Sequence, residues 1–414
     1  MMKRGTKRLW GVVLGALLLL FSCPTCLWGQ QEQTISKKTS VVKVSGYVQT
    51  QWQVGDSLAT PNVGTVLEPS SSMISRIGIR RGRLKLDYNR GIADVVFSLD
   101  LTERGVHIKD AYLALSLPSL GSSSLTVGLF STPFGYEVCY SSSKRESPER
   151  SAIVRTLFPG ERNVGLNLAL QASKNSGWYP LKMELALLSG NGISSDADNS
   201  LDLLARLSAE KSFLSEHLSV GLGLSGYWGS VPQGTVSHVY KVSDSSYERV
   251  GLFGAGSRGR VPRRYGGVDL QGRLRTAWGE TRLISEVIFG IQPALEGGSK
   301  SVVGDNLPKD DLYIRPFLGG YAQLTQTIGK SPCSVVGKYE WYDPNREFPF
   351  GAAKNSGDRA ASTWGVGILW DFSSSLRLLA YYQQDWSEQK QQTVEGQWML
   401  LRDQMGTIRL QYKF

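Results

Sequence analysis

The sequence predicts an all-β protein, a 16-stranded antiparallel transmembrane β-barrel with an inward-folded third loop. Three observations carry that expectation. Sixteen segments alternate apolar and polar residues at period 2, and the connections between them are long and short by turns. The chain also opens on a secretory-type leader and closes on an alternating strand that ends in an aromatic residue. Period 2 over about ten residues is what a strand needs when one face meets lipid and the other meets water.

In the leader, four cations (Lys3, Arg4, Lys7, Arg8) precede a short apolar core from Leu9 to Phe21. It is too short to span a bilayer as a helix, which takes about 20 residues, and it is charged on the side that a signal peptide requires. We therefore expect residues 1–29 to be a signal peptide, 30–40 a short periplasmic segment and 41–414 the barrel. A lipoprotein alternative would use Cys23, but Phe21 suits it poorly. Removing residues 1–29 takes away four cations and no acid, leaving 42 Lys+Arg against 36 Asp+Glu, a net of +6. That mild excess fits attraction of small anions and is too weak to argue for nucleic acid. Cys139 and Cys333 remain beyond the leader, too few for a disulfide framework, and are expected as free thiols.

The alternating segments begin near Val41, Ser75, Ala93, Lys109, Ser124, Asn163, Leu181, Leu201, Leu218, Tyr265, Thr281, Tyr313, Ser334, Thr363, Leu376 and Gln397. In the first, Val42, Val44, Val48 and Trp52 share one face and Lys43, Ser45, Gln49 and Gln51 the other. A two-sheet sandwich also alternates, so connection length decides. Residues 55–72, 132–162, 190–200, 229–263, 293–311, 343–360 and 387–396 form long connections, and 103–107 a moderate one. Between them lie the short ones at 89–91, 118–123, 174–178, 212–217, 278–280, 328–332 and 373–375. Outer-membrane barrels have short periplasmic turns and long external loops, whereas Greek-key sandwiches have no reason to alternate this way. The final segment puts Ile408, Leu410, Tyr412 and Phe414 on one face, the signal read by the outer-membrane assembly machinery. Tyr88, Trp178, Trp228, Trp278 and Trp341, near strand ends, suit interfacial girdles.

If the apolar set faces lipid, the polar set faces a lumen wide enough for water. Charged side chains there set ion selectivity. In "SRIGIRRGRLKLDY", Leu84, Leu86 and Tyr88 point out and send Arg81, Arg83, Lys85 and Asp87 in. Above them Ile77 and Ile79 send Arg76 and Arg80 in, and the one-residue mismatch predicts a bulge near Arg80–Arg81. Asp269, Gln271, Arg273 and Arg275 share an inner face, and Arg206, Arg315, Arg377 and Arg409 fall on inner faces too. These cations line the channel for anions, or else they pair with acids such as Asp94, Asp100, Asp202, Asp269 and Glu286. By parity residues 132–162 form the third external loop. A loop this long needs a function, and in general porins the third loop folds inward. It brings Lys144, Arg145, Arg150 and Arg155, with Glu137, Glu146, Glu149 and Glu161 in or beside it.

The chain resembles the phosphate-selective porin O and P family in "SGYVQTQW", "IRRGRL", "SLDLTERG", "DAYLAL", "VGLFSTPFGYE", "SSSKRESPERS", "RNVGLNLALQAS" and "TIRLQYKF". The likeness covers roughly residues 41–173 and the last strand, while 180–395 match only in strand rhythm. It implies a homotrimer of barrels in the outer membrane of a Gram-negative bacterium, passing phosphate or polyphosphate down a ladder of arginines. Carried over, the paired arginines of the second strand match Arg80 and Arg81, and the loop lysine of the central site matches Lys144. The loop "E-R" matches Glu149 and Arg150, and the acid after the third strand's apolar run matches Asp100. "KRE" adds Arg145 and Glu146, and Pro148 precedes the Glu-Arg pair, so the channel is a firmer expectation than phosphate as its solute.

Other solutes such as pyrophosphate, carboxylates or sugars stay open, with Tyr47 and Tyr227 as lumenal candidates for sugars. An enzyme is not expected: only His107, His217 and His238 exist, with no G-x-S-x-G elbow or metal-ligand spacing. No cofactor is expected. An adhesin or structural barrel would use the 229–263 loop, with its "SRGRVPRRYGG", as a binding surface.

Overall fold

The computed structural model describes residues 42–56, 59–65, 73–194, 199–233, 238–243, 246–250, 259–302, 310–389 and 399–414. The expected signal peptide and periplasmic segment lie outside the described residues. The barrel runs through β1 (Val42–Gly55), β2 (Ile74–Arg90), β3 (Ala93–Thr102), β4 (Gly105–Leu117), β5 (Ser123–Ser131), β6 (Arg162–Gln171), β7 (Leu181–Leu188), β8 (Asp202–Phe213) and β9 (Leu218–Pro232). A small hairpin, β10 (Val239–Ser243) and β11 (Ser246–Val250), interrupts the staves. They resume with β12 (Arg260–Thr276), β13 (Gly279–Ala294), β14 (Leu312–Thr327), β15 (Cys333–Asp343), β16 (Ala361–Asp371), β17 (Leu376–Gln389) and β18 (Met399–Lys413).

Each stave pairs antiparallel with its neighbour in the chain, β9 pairs with β12 across the hairpin, and β1 pairs with β18, so the sheet has no open edge. Closure is held by the register Tyr47↔Lys413 to Gly55↔Met405 and by two 3.1 Å bonds between the backbones of Gly46 and Phe414. Full closure satisfies every ladder group, which a barrel in lipid requires. All sixteen expected strands are staves. The 103–107 connection is tighter than expected, because β4 begins at Gly105, which takes φ +115; His107 therefore lies in a strand and not in a loop. The 229–263 connection carries β10–β11, whose Val239–Lys241 bridges Leu312–Ile314 in parallel. The expected bulge is present: Gln49 faces Arg81 but Thr50 faces Ile79, leaving Arg80 extra.

The outer face is apolar as the alternation requires: Val44, Trp52, Ile77, Phe97, Leu224, Leu324, Ile368 and Leu410 are exposed, and so are Trp178, Trp228 and Trp278 near the rims. The inner face corrects the expectation of a uniformly polar lumen. Leu188 of β7, Leu204 of β8, Tyr227 of β9, Tyr265 of β12, Ile288 of β13, Phe317 of β14 and Tyr342 of β15 point inward and are buried. They meet Phe134, Val138, Ile153, Val154, Leu157 and Phe158 of the segment between β5 and β6, hereafter L3. The wall makes room at Gly267, where a Cβ would lie 2.9 Å from the Phe134 ring, and at Gly319, where it would lie 2.9 Å from Ile153 Cδ1. Each large side chain buried this way contributes roughly 1.5–3 kcal/mol. Phe134→Ala is expected to cost about 3–5 kcal/mol, lowering the heat-unfolding midpoint in detergent and raising single-channel noise as the loop loosens.

Candidate functional site

L3 leaves β5 at Thr132 and folds into the barrel. Its one helix, α1 (Ala152–Leu157), buries Ile153, Val154 and Leu157 on the wall side and keeps Arg155 exposed. Two carboxylates cap it. Glu137 accepts from the Ser151 backbone N–H at 2.9 Å and Glu340 of β15 from that of Ala152 at 3.0 Å, where the helix dipole favours negative charge. Lys338 joins both acids, at 3.2 Å from Glu137 and 2.9 Å from Glu340.

Opposite the apolar seat, L3 is fastened by charge. Glu149 accepts two 2.8 Å bonds from Arg80, one of 2.7 Å from Arg81 and one of 3.1 Å from Arg409. Arg409 also donates to the Pro148 carbonyl at 2.8 Å. The bulge in β2 is what lets two consecutive arginines both reach this carboxylate. Burial alone would push the Glu149 carboxyl up, but Arg81, Arg80 and Arg409 hold it well below its ordinary value. Tyr47 and Ser142 hydroxyls meet at 2.5 Å, and Gln49 and Gln411 donate at 3.1 Å to the carbonyls of Ser142 and Ser143. Glu146 binds Arg282 of β13 at 2.7 Å, Gln323 of β14 at 3.0 Å and the Tyr140 hydroxyl at 3.0 Å. Glu286 of β13 accepts the backbone N–H groups of Tyr136 at 3.2 Å and Glu137 at 3.0 Å.

The expected site residues divide into anchors and open cations. Arg80 and Arg81 are anchors. So is Arg150, which donates to the carbonyls of Glu137, Val138 and Tyr140 at 2.8, 3.2 and 3.0 Å and pairs with Glu161. Despite burial, Arg150, Lys109 and Arg162 hold Glu161 down to about 2. Arg83 pairs with Asp100 at 3.1 Å and Lys85 with Asp87 at 2.5 Å. Near the periplasmic turns Arg273 bonds Ser219 at 3.0 Å and Arg275 pairs with Glu280 at 3.0 Å. Arg145 is buried, and none of its three guanidinium nitrogens has a hydrogen-bond partner. Burial, with the nearby charges of Arg150 and Arg81, pushes it down to about 9.

Lys144 is exposed. Its carbonyl lies 3.4 Å from an Arg377 nitrogen, on the periplasmic side of L3. There Arg377 and Lys413 act on it from β17 and β18, and the adjoining inner faces of β1 and β2 carry Lys43, Lys85 and Arg83, against the acids Asp371, Asp87 and Asp100. The alternation of each strand contains Lys43, Arg282, Lys338 and Lys413, but they were not singled out, because nothing local says that L3 will face them. The alternative that inner arginines pair with acids holds for Arg83–Asp100, Arg206–Asp269, Arg275–Glu280, Arg315–Asp358, Arg377–Asp371 and Arg409–Glu149, and Asp202 is taken by Arg263. Tyr47 and Tyr227, the candidates for a sugar, are both buried, the first against Ser142 and the second in the apolar seat. The histidines lie apart: His217 bonds the Leu214 carbonyl in a turn and His238 pairs with Asp311. Among the described residues no cluster of His, Cys, Asp and Glu is placed to hold a metal ion.

No protein-family model matches the chain, and no curated protein matches it. Solved structures do. The outer membrane channel DcaP of Acinetobacter baumannii superposes with a TM-score of 0.56 at 12% identity, covering 92% of this chain and 99% of that one. An anion-selective porin from Comamonas acidovorans gives 0.54 at 11% identity, covering 91% and 100%. OmpT, an outer membrane protein of Vibrio cholerae in trimer form, gives 0.53 at 11%, covering 91% and 99%. The fold is that of the bacterial outer-membrane porins.

The depressed carboxyls of Glu149 and Glu161 stabilise the folded loop fully above about pH 4.5, and this contribution fades only as the pH falls toward 2. Single-channel noise should therefore be the same at pH 5 as at pH 7. Glu149→Gln should be noisy at both, because three guanidinium groups lose their counter-charge, at a cost of roughly 3–5 kcal/mol.

Proposed function

We propose that the protein is an outer-membrane channel for passive diffusion of small anions, with L3 as its constriction and phosphate or polyphosphate among its solutes. Synthesis with a cleaved signal peptide, assembly into the outer membrane of a Gram-negative bacterium through the Phe414 strand and a homotrimeric state belong to the same reading. So does the absence of catalysis. The observation that carries it is the basic arc on the periplasmic side of L3: Lys144, Arg377, Lys413, Lys43, Lys85 and Arg83 against Asp371, Asp87 and Asp100. A narrow pore reads ions by the fixed charge at its lining, and a low-dielectric wall focuses that charge. A further support is the anion-selective porin among the structural neighbours.

The likeness to phosphate-selective porins supports Lys144 as the residue a passing anion meets, since it is the exposed cation of the matching motif. Arg80, Arg81 and Arg150 act one step back, by fixing the loop that carries it. Arg145, closed off from water, adds positive potential without touching a solute.

Reversal potentials across planar bilayers test this reading. The protein should prefer chloride to potassium, and phosphate should block the chloride current. Lys144→Ala with Lys413→Ala, which leaves every anchor of L3 in place, should move the permeability ratio about two- to five-fold toward unity and weaken the block. Near-equal permeability in the unaltered protein would reject the anion reading in favour of a general solute pore.

A further inference from the structure

We propose that L3 carries a binding site for small aromatic carboxylates, formed by the stacked rings of Tyr136 and Tyr140 beside Arg282 and Lys144. The proposal rests on the channel reading above and names a solute class for the same constriction.

L3 has four aromatic residues. Phe134 and Phe158 are buried in the apolar seat, while Tyr136 and Tyr140 keep part of their surface open. One turn of chain sets the pair. The Tyr140 N–H donates to the Tyr136 carbonyl at 3.1 Å, so residues i and i+4 project from the same side. The rings stack with centroids 5.2 Å apart and planes 29° from parallel. Beyond the stack, Tyr140 is held through its hydroxyl and Tyr136 through its backbone. Glu286 takes the Tyr136 N–H at 3.2 Å, and the Tyr140 hydroxyl donates to Glu146 at 3.0 Å. A platform fixed from both ends loses little freedom when a third ring joins it.

Charge decides what kind of ring it takes. Arg282 is bound to Glu146 at 2.7 Å and lies 3.5 Å from Glu280, yet 37% of its side-chain surface stays open. Lys144 is exposed four residues after Tyr140. A flat ring laid on the tyrosines can therefore put a carboxylate against one of these cations. Glu210 of β8, which is exposed, and the buried Asp269 of β12 act electrostatically on Tyr136. These acids penalise a second negative charge on the solute, which favours a monocarboxylate.

The test is block of the chloride current through the full-length protein by benzoate, acetate and benzylammonium. An aromatic contact of this kind corresponds to about three- to ten-fold in affinity. Benzoate should reach half-block at a concentration lower than acetate by that factor, and benzylammonium should block no better than acetate. Tyr136→Leu with Tyr140→Leu, which keeps apolar bulk but removes the rings, should bring benzoate to within about two-fold of acetate. If that variant does not assemble, native Cys139 serves instead. The residue is exposed one position before Tyr140, with its Sγ donating to the Thr132 carbonyl at 3.3 Å, and in the Cys333→Ser protein benzoate should slow its modification by an anionic thiosulfonate reagent, and acetate should not. Equal block by benzoate and acetate, stronger block by benzylammonium, or no protection of Cys139 would overturn the proposal. Reversal potentials judge the anion reading separately, so a pore without anion preference that benzoate still blocks refutes only that reading.

Discussion

A single carboxylate, Glu149, organises the constriction. Three guanidinium groups from both ends of the chain, Arg80 and Arg81 on β2 and Arg409 on β18, converge on it. Each would be costly to bury alone, since an unpaired charge out of water loses several kcal/mol. The loop that brings Glu149 is thus required by the wall, and the wall by the loop. The apolar seat on the far side, where Phe134 and Ile153 enter wells at Gly267 and Gly319, fixes L3 by shape. Charge on one side and packing on the other leave the loop one position in the lumen.

This division explains the uses of arginine and lysine. Arginine, with a planar fork that matches a carboxylate, holds the buried contacts at positions 80, 81, 150 and 409. Lysine, a compact and strongly hydrated charge, stands toward water at Lys144 and is buried at Lys338, where two carboxylates, Glu137 and Glu340, replace the water. The motif that likens this chain to phosphate-selective porins contains both kinds. In space they do different things: Arg150 holds the loop, Arg145 is buried without a hydrogen-bond partner, and Lys144 is exposed. The mixed charge of L3, nearly balanced by count, is therefore unequal in its exposure to water.

Much of the fold was legible in the sequence because a stave must show lipid and water in alternate residues. All sixteen staves and the bulge at Arg80 follow from that single rule; the bulge was visible as a one-residue slip between Ile79 and Leu84. Strand ends were less legible, as at Gly105, because a turn depends on one backbone angle. The apolar seat escaped notice for a different reason. Alternation says which face a residue takes but not what covers it, and the partners of Tyr227, Tyr265 and Phe317 lie in L3, roughly 70 residues or more before them. For the same reason Lys144 and Arg150 looked alike in sequence, although only Arg150 is spent on the carbonyls of its own loop.

The central claim is that Glu149 of L3 and Arg409 of the last strand, 260 residues apart, are in contact inside the barrel. A double-mutant cycle tests it, with Glu149→Gln, Arg409→Gln and the pair compared by heat-unfolding midpoint in detergent. The account predicts that the double variant is less destabilised than the two singles added together, by a coupling of at least about 1.5 kcal/mol. Additive effects would contradict it.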